Sequence, residues 1–194
     1  MAAPELVAPV LLLAMPQVND PFFRKSVVLL LAHEAEGSFG FIVNRTTELK
    51  VQEILRDLKL EWRGEAEELA RFGGPVQPQI GTVLFSGGPE VEEALPHSTE
   101  VLSGVRLSQN LSELATLALQ PPARFRLMLG YAGWGEGQLW NEILRNDWLT
   151  APVDLDLVFA AGGEEAWERG VRAAGADPAR LPAWTGRESG EAAN

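Results

Sequence analysis

Short, wholly apolar runs separated by turn-forming residues dominate the first third of the chain. Leu6 to Met15 is one such run, closed by Met15-Pro16, and it reads as a buried strand. Ser26 to His33 reads as a second. Phe39 to Val43 is a third, joined to the second by the turn-like EAEGS, so the two form a hairpin. These connections are too short to hold crossover helices, which excludes a purely parallel sheet. The pattern then changes period. Thr46 or Thr47 is placed to cap a helix running through Leu58, with Leu49, Ile54, Leu55 and Leu58 on its apolar face.

Further along, Gly81 to Phe85 predicts a short strand, whereas Ser86 to Ser103 is acidic, punctuated by Pro and Gly, and assigns to no element. Leu111 to Leu119 predicts a helix capped by Asn110 and ended by Pro121-Pro122. A strand follows at Phe125 to Tyr131, then a glycine-rich loop, then a helix from Gln138 to Asn146. Asp154 to Phe159 alternates polar and apolar residues as a half-buried strand does. The segment EEAWERGVRAAG predicts a helix with Ala166, Trp167, Gly170, Val171 and Ala174 on one side, stopped by Gly175. No repeat or composition shift divides the chain. The expectation is one mixed α and β domain over residues 1–182 with a disordered tail at 183–194.

Composition narrows the function. The 194 residues are 46% hydrophobic, enough for one sizeable core. Net charge is −11, and the sixteen basic residues (thirteen Arg, three Lys) are scattered rather than striped. A field of that sign repels phosphate backbones, so direct nucleic-acid binding is disfavoured. There is no cysteine, hence no disulfide, thiolate metal site or thiol nucleophile. The first apolar run is too short to span a bilayer, and Glu5 stands where a signal peptide places a cation. A cytoplasmic protein with no membrane association is expected.

The candidate chemistry gathers in GYAGWGEGQL, Gly130 to Leu139. Strand, glycines and helix follow one another there as in phosphate-binding turns. The spacing matches neither glycine fingerprint, and Glu136 at the helix entry opposes an incoming phosphate. Two readings stay open. One is a structural turn whose glycines allow positive φ and close approach. The other is a pocket for an uncharged or weakly polar ligand stacked on Tyr131 and Trp134, with Gln138 and Glu142 one helical turn apart beside it.

Other spots are thinner. His33 begins HEAEG, which lacks the second histidine of a zinc motif because Gly37 stands in its place, so no metal is expected. A strand-end His33 is then a hydrogen-bonded structural residue or a general acid or base. If the second and third strands are hairpin neighbours, their ends opposite the turn meet. That would bring Asn44, Arg24 and Arg45 into a small polar pocket, against the plainer reading of surface arginines beside a strand end. Asp154 and Asp156 share a strand face in this reading and form a solvated edge.

Taken together, LLLAMPQVNDPFFRKSVVLLLAHEAEGSFGFIVNR, RFGGPV and GYAGWGEGQLWNEILRNDWLTAPVDLDLVF resemble the AlgH/YqgE family of bacterial proteins. EEAWERGVRAAGADPARL fits the family's C-terminal segment, and the resemblance spans roughly residues 8 to 182. It implies an α+β fold, a single domain with a bent, partly barrel-like mixed β-sheet surrounded by helices. One member is labelled a transcriptional regulator, which implies regulation through a protein partner for an acidic chain such as this. The alternative is a small-molecule binder or enzyme using the Gly130 to Leu139 region, with candidate ligand-binding residues Tyr131, Trp134, Gln138, Glu142, Asn44, Arg24 and His33. No cofactor follows from the resemblance. Trp140 and Phe85 depart from it, standing where the family often has an acid and a histidine.

Overall fold

The computed structural model describes residues 6–87, 89–159 and 162–182. Its elements in chain order are β1 Val10–Ala14, β2 Val27–Glu34, β3 Gly37–Ile42, β4 Thr46–Lys50, α1 Val51–Asp57, β5 Leu69–Phe72 and β6 Val76–Ser86. After them come α2 Pro89–Ala94, β7 Thr99–Leu102, β8 Val105–Ser108, α3 Leu111–Leu119 and β9 Phe125–Gly135. The described chain ends with α4 Gln138–Leu144, β10 Trp148–Ala151, α5 Leu155–Phe159, α6 Gly163–Ala173 and a 3-10 turn at Pro178–Arg180.

The described strands form one curled, mixed sheet in the order β10-β1-β2-β3-β9-β6-β8-β7, with β4 and β5 beside it. All pairings are antiparallel except β5 with β9. Strand β9 joins the two halves. Its last residues, from Ala132 to Gly135, pair with β3 from Gly40 back to Gly37. Its first half lies between β6 on one side and β5 on the other. The changeover falls at Gly130, which has φ +68° and carries the carbonyl of Gly74 where a Cβ would be, at 2.3 Å. Gly74 in turn meets the Tyr131 carbonyl at 2.2 Å. Only glycine in both segments, the strand at Gly130 and the β5–β6 link at Gly74, allows this approach.

Both faces of the sheet are covered, which explains why β1, and β2 as far as Ala32, are apolar without alternation. Leu11 and Leu13 pack with α5 and α6 through Leu157, Phe159, Trp167 and Val171. Leu12 and Ala14 point the other way, into a cluster with Trp134, Leu139 and Trp148. A third cluster fills the far end of the sheet beneath α1 and α3, around Leu55, Phe85, Leu114 and Leu127.

Several expectations change. The glycine-rich stretch is not a loop: its ladder with β3 carries the strand to Gly135, leaving Glu136-Gly137 as the turn. Thr46 and Thr47 do not cap a helix. They belong to β4, where the Thr47 hydroxyl donates to the Ala70 carbonyl, and Leu49 is exposed. The helix starts only at Val51, and Leu58 is exposed beyond its end. Asp154 to Phe159 is not a strand either. Asp154 accepts from the Asp156 N–H and opens α5, and Leu157, Val158 and Phe159 are buried in succession, which no alternating strand permits. Asp154 and Asp156 are held by Arg169 and Arg124. The unassigned acidic region contains α2 and β7. The expected tail lies outside the described residues. As expected, Asn110 caps α3, accepting from the N–H groups of Ser112 and Glu113.

Candidate functional site

Two places gather the residues singled out above, and the segment between Gln17 and Lys25 separates them. The first is the corner where β9 hands over to α4. Trp134 is 6% exposed and packs against Phe23 and Trp148, with ring centroids 6.1 and 5.9 Å away. One carboxylate ties the corner together. Glu142 Oε2 accepts from the indole N–H groups of Trp134 at 2.9 Å and Trp148 at 2.8 Å, while Oε1 accepts from the Gln138 amide at 2.9 Å. Gln138 Oε1 accepts in turn from the Gly135 N–H. Over this network lies a pocket of about 300 Å³ that also meets Asp20 and Asp147. Its polar groups are engaged with one another, as a packed corner requires.

Tyr131 does not join Trp134. Along a strand, positions 131 and 134 face opposite sides. Tyr131 packs into the other core cluster, its ring 5.1 Å from that of Phe39. The two rings therefore pack into different core clusters, although both residues border one open hollow of about 600 Å³ with Phe39, Val76 and Gln109. His33 lies elsewhere again, paired across the hairpin with the Ser38 hydroxyl at 2.7 Å.

The second place is a cleft of about 580 Å³, where the start of β2, the end of β3 and the beginning of α6 converge. The hairpin argument placed Arg24, Asn44 and Arg45 together, and they all line it. Asn44 is 3% exposed and makes three hydrogen bonds. Its Oδ1 accepts from the Val27 N–H at 2.8 Å, and its Nδ2 donates to the carbonyls of Lys25 and Gly163, both at 2.9 Å. The Gly163 N–H returns a bond to the Asn44 carbonyl. One buried amide thus fixes strand, loop and helix to one another.

Arg45 braces the loop, donating to the carbonyls of Pro21 and Arg24. Burial pulls its guanidinium below the usual arginine range, and the nearby Asp20 carboxylate works against that shift. Lys25 sits in the left-handed region at φ 53°. That conformation is sparsely populated for a residue with a side chain, and such strain clusters at functional sites. Its ammonium pairs with Glu164 at 2.8 Å and stands 5.9 Å from the centre of the Trp167 ring.

Sequence reasoning missed the α6 side of this cleft. Gly163 and Glu164 are 119 and 120 positions beyond Asn44, and no local pattern announces such a meeting. The available signal was the pair Gly162-Gly163 opening an amphipathic helix. Gly162 occupies the N-cap and brings no side chain to the first N–H groups. Arg71 approaches Gly162 from behind, its Nε buried without a hydrogen-bond partner. Burial lowers the Arg71 guanidinium's pKa, and the like charge of Arg126 lowers it further, against the opposing pull of Glu68. Arg126 holds Glu68 at 3.0 Å, and the same carboxylate acts on Arg71 only through its charge.

Fold and clefts define a one-domain α+β protein built on a curled mixed sheet. The chain belongs to the AlgH-like family, which it matches over residues 11–179. A UPF0301 protein of Myxococcus xanthus is 42% identical over 176 residues, covering 90% of this chain and 94% of that protein. A UPF0301 protein of Ruegeria pomeroyi is 40% identical, with 91% and 96% covered. Among solved structures, that of the AlgH protein from Pseudomonas aeruginosa superposes with a TM-score of 0.73 at 31% identity, over 91% of this chain and 93% of that one. A protein from Corynebacterium diphtheriae shares the fold at 22% identity, with a TM-score of 0.71 and 89% of each chain covered. No helix among the described residues is long and apolar enough to cross a membrane.

Proposed function

We propose that this protein is a regulatory binding protein whose ligand is a small acidic molecule seated in the cleft of Arg24, Lys25 and Arg45. The observation that carries this reading is charge. In a chain of net charge −11, Arg24, Lys25 and Arg45 gather in one cleft, where Glu164 is the carboxylate among the described lining residues and Asp20 lies near Arg45. A carboxylate or phosphate group is the chemistry that suits such a cleft. The regulation implied by the family resemblance then follows from occupancy, because a ligand held there bridges the segment before β2 to the start of α6, changing the surface shown to a protein partner. Direct nucleic-acid binding is a poor fit, since three clustered cations in a cleft cannot neutralise a run of phosphates against an acidic surround.

The test is an NMR titration with inorganic phosphate and with succinate. The expected result is saturable shifts at the amides of Lys25, Glu164 and Glu165, lost when Arg24 and Lys25 are both replaced by Gln. The same shifts in that double variant, or none in the parent at millimolar anion, would sink the reading. A bound partner that engages the protein equally with and without anion would remove the regulatory part alone.

A further inference from the structure

A third cavity, remote from the cleft, lies beneath α1 and α3. It encloses about 380 Å³, within the roughly 300–1,000 Å³ range of small-molecule sites. Its walls are aliphatic: Ile54 from α1 and Leu58 just beyond it, Leu111 and Leu114 from α3, Leu127 and Leu129 from β9. Leu58 and Leu111 are 45% and 55% exposed, forming an apolar lip around the opening.

Gly81 lines this cavity from β6. Successive alternate positions on a strand share a face, so Gly81 stands in line with Val83 and Phe85, both buried in the same cluster. An apolar side chain is what that face calls for. Sterics do not forbid one. A Cβ at Gly81 would meet only Leu127 Cδ1, at an ordinary 3.4 Å, and Gly81 does not have a left-handed φ. This contrasts with Gly130 and Gly74, where neighbouring backbone leaves no room. A strand glycine weakens the ladder and often marks a bulge or a place where a ligand approaches. The β6–β9 register does shift between Val76 and Gly81, but the bulge leaves Gly81 itself in ordinary backbone, paired with Leu129. What the missing side chain does accomplish is to keep the cavity open.

We infer that this cavity binds the alkyl chain of an uncharged amphiphile, with Gly81 leaving the space for the chain. The chain class follows from walls that carry no aromatic ring. The head group follows from the rim, where Gln79, Gln109 and Asn110 offer amides and Asp57 is the only charged group among the described lining residues. Gln109 is anchored to the Thr82 hydroxyl at 2.9 Å and Asn110 caps α3, so the rim is held in place. A carboxylate head would face Asp57 across the mouth and find no cation there.

The experiment is a titration of the full chain with decanol and with decanoate, both below their self-association limits. Binding is read by NMR contacts between chain protons and the methyls of Leu127 and Leu129. Decanol is expected to bind there and decanoate to bind more weakly. Gly81→Val should weaken decanol by at least about tenfold by filling the space with an isopropyl group, while melting at or above the parent's temperature. Gly81→Ala should fall between, and serves if the larger change disturbs the fold. Decanol binding undiminished in both variants, contacts located elsewhere, or no binding by the parent would each overturn the assignment. Concentration-dependent self-association that covers Leu58 and Leu111, with decanol without effect, would overturn it in favour of a second copy of this chain.

Discussion

The corner around Glu142 and the cleft around Lys25 are built from similar materials, and they use them oppositely. Each has aromatic packing, a polar residue making three hydrogen bonds, and charged groups at the rim. At the corner the polar groups engage one another: Glu142 faces two indole N–H groups and an amide, and Asp147 holds Arg145. At the cleft a buried amide does the structural work, and the cations are left in excess of the acids that line it. The corner has left-handed residues in its turns, Gly137 and Asn146, but its bonding side chains Trp134, Gln138, Glu142 and Trp148 stand in strand and helix, whereas the cleft holds Lys25 itself at φ 53°. A polar constellation that closes on itself is architecture. One that holds strain and surplus charge has capacity for something else.

The largest effect that tests this contrast is expected at Glu142. Replacement by Ala removes the acceptor of two indoles that are each 6% exposed, leaving two buried donors unpaired. At about 1–3 kcal/mol for each orphaned group, the expected loss of unfolding free energy in denaturant titration is about 3 kcal/mol. Glu142→Gln retains an acceptor and should lose about half as much. A near-neutral Glu142→Ala would mean that the corner is not the self-contained network described, and the comparison would fail on that side.

Asn44→Ala comes next, at about 2 kcal/mol, since three hydrogen bonds go and the Val27 N–H is left buried. Here hydrogen exchange sharpens the contrast. Protection should fall at Val27 and at Gly163 together, although they are distant in sequence, because one amide holds both. Loss at only one of them would show that loop and helix are secured independently.

How far this division could be read from the chain depends on how local each cause is. Helix α3 was legible because its cap and its apolar repeat lie within ten residues. Arg24, Asn44 and Arg45 were legible because a hairpin brings its open ends together whatever surrounds it. The strand identity of GYAGWG was not. Glycines have low strand propensity, and the reason for them is the arrival of Gly73-Gly74 from a distant segment, alongside pairing to β3. Asp154 to Phe159 misled for a related reason: its polar–apolar alternation is real for four residues, but burial of three consecutive side chains between α6 and the sheet decides the outcome. The contribution of α6 to the cleft was beyond reach, since only the folded chain sets residue 163 against residue 44.

Gln138 sits on the boundary between the two behaviours. It is exposed, yet it belongs to the corner's network, accepting from Gly135 and donating to Glu142. Solvent can replace both bonds, so Gln138→Ala is expected to cost less than about 1 kcal/mol. Its tryptophan neighbours should keep their near-ultraviolet circular dichroism. A loss of about 2 kcal/mol or more would make Gln138 a buried member of the corner in solution.

The smallest change in stability is expected where the change in binding is greatest. Lys25→Gly removes the side chain from a left-handed position, and relief there is worth about 1 kcal/mol. Against it stand the interaction with the Trp167 ring, about 0.5–1 kcal/mol at a solvent-reached site, and the ion pair with Glu164. That acid is 69% exposed, which brings the pair's contribution close to zero. The Lys25 carbonyl still accepts from Asn44, so the loop keeps its anchor. Unfolding free energy should therefore stay within about 0.5 kcal/mol of the parent, or rise, while phosphate affinity falls. Binding sites trade stability for function in this direction. A variant that is clearly destabilised and still binds phosphate would make Lys25 a brace like Glu142, and the cleft would then be architecture as well.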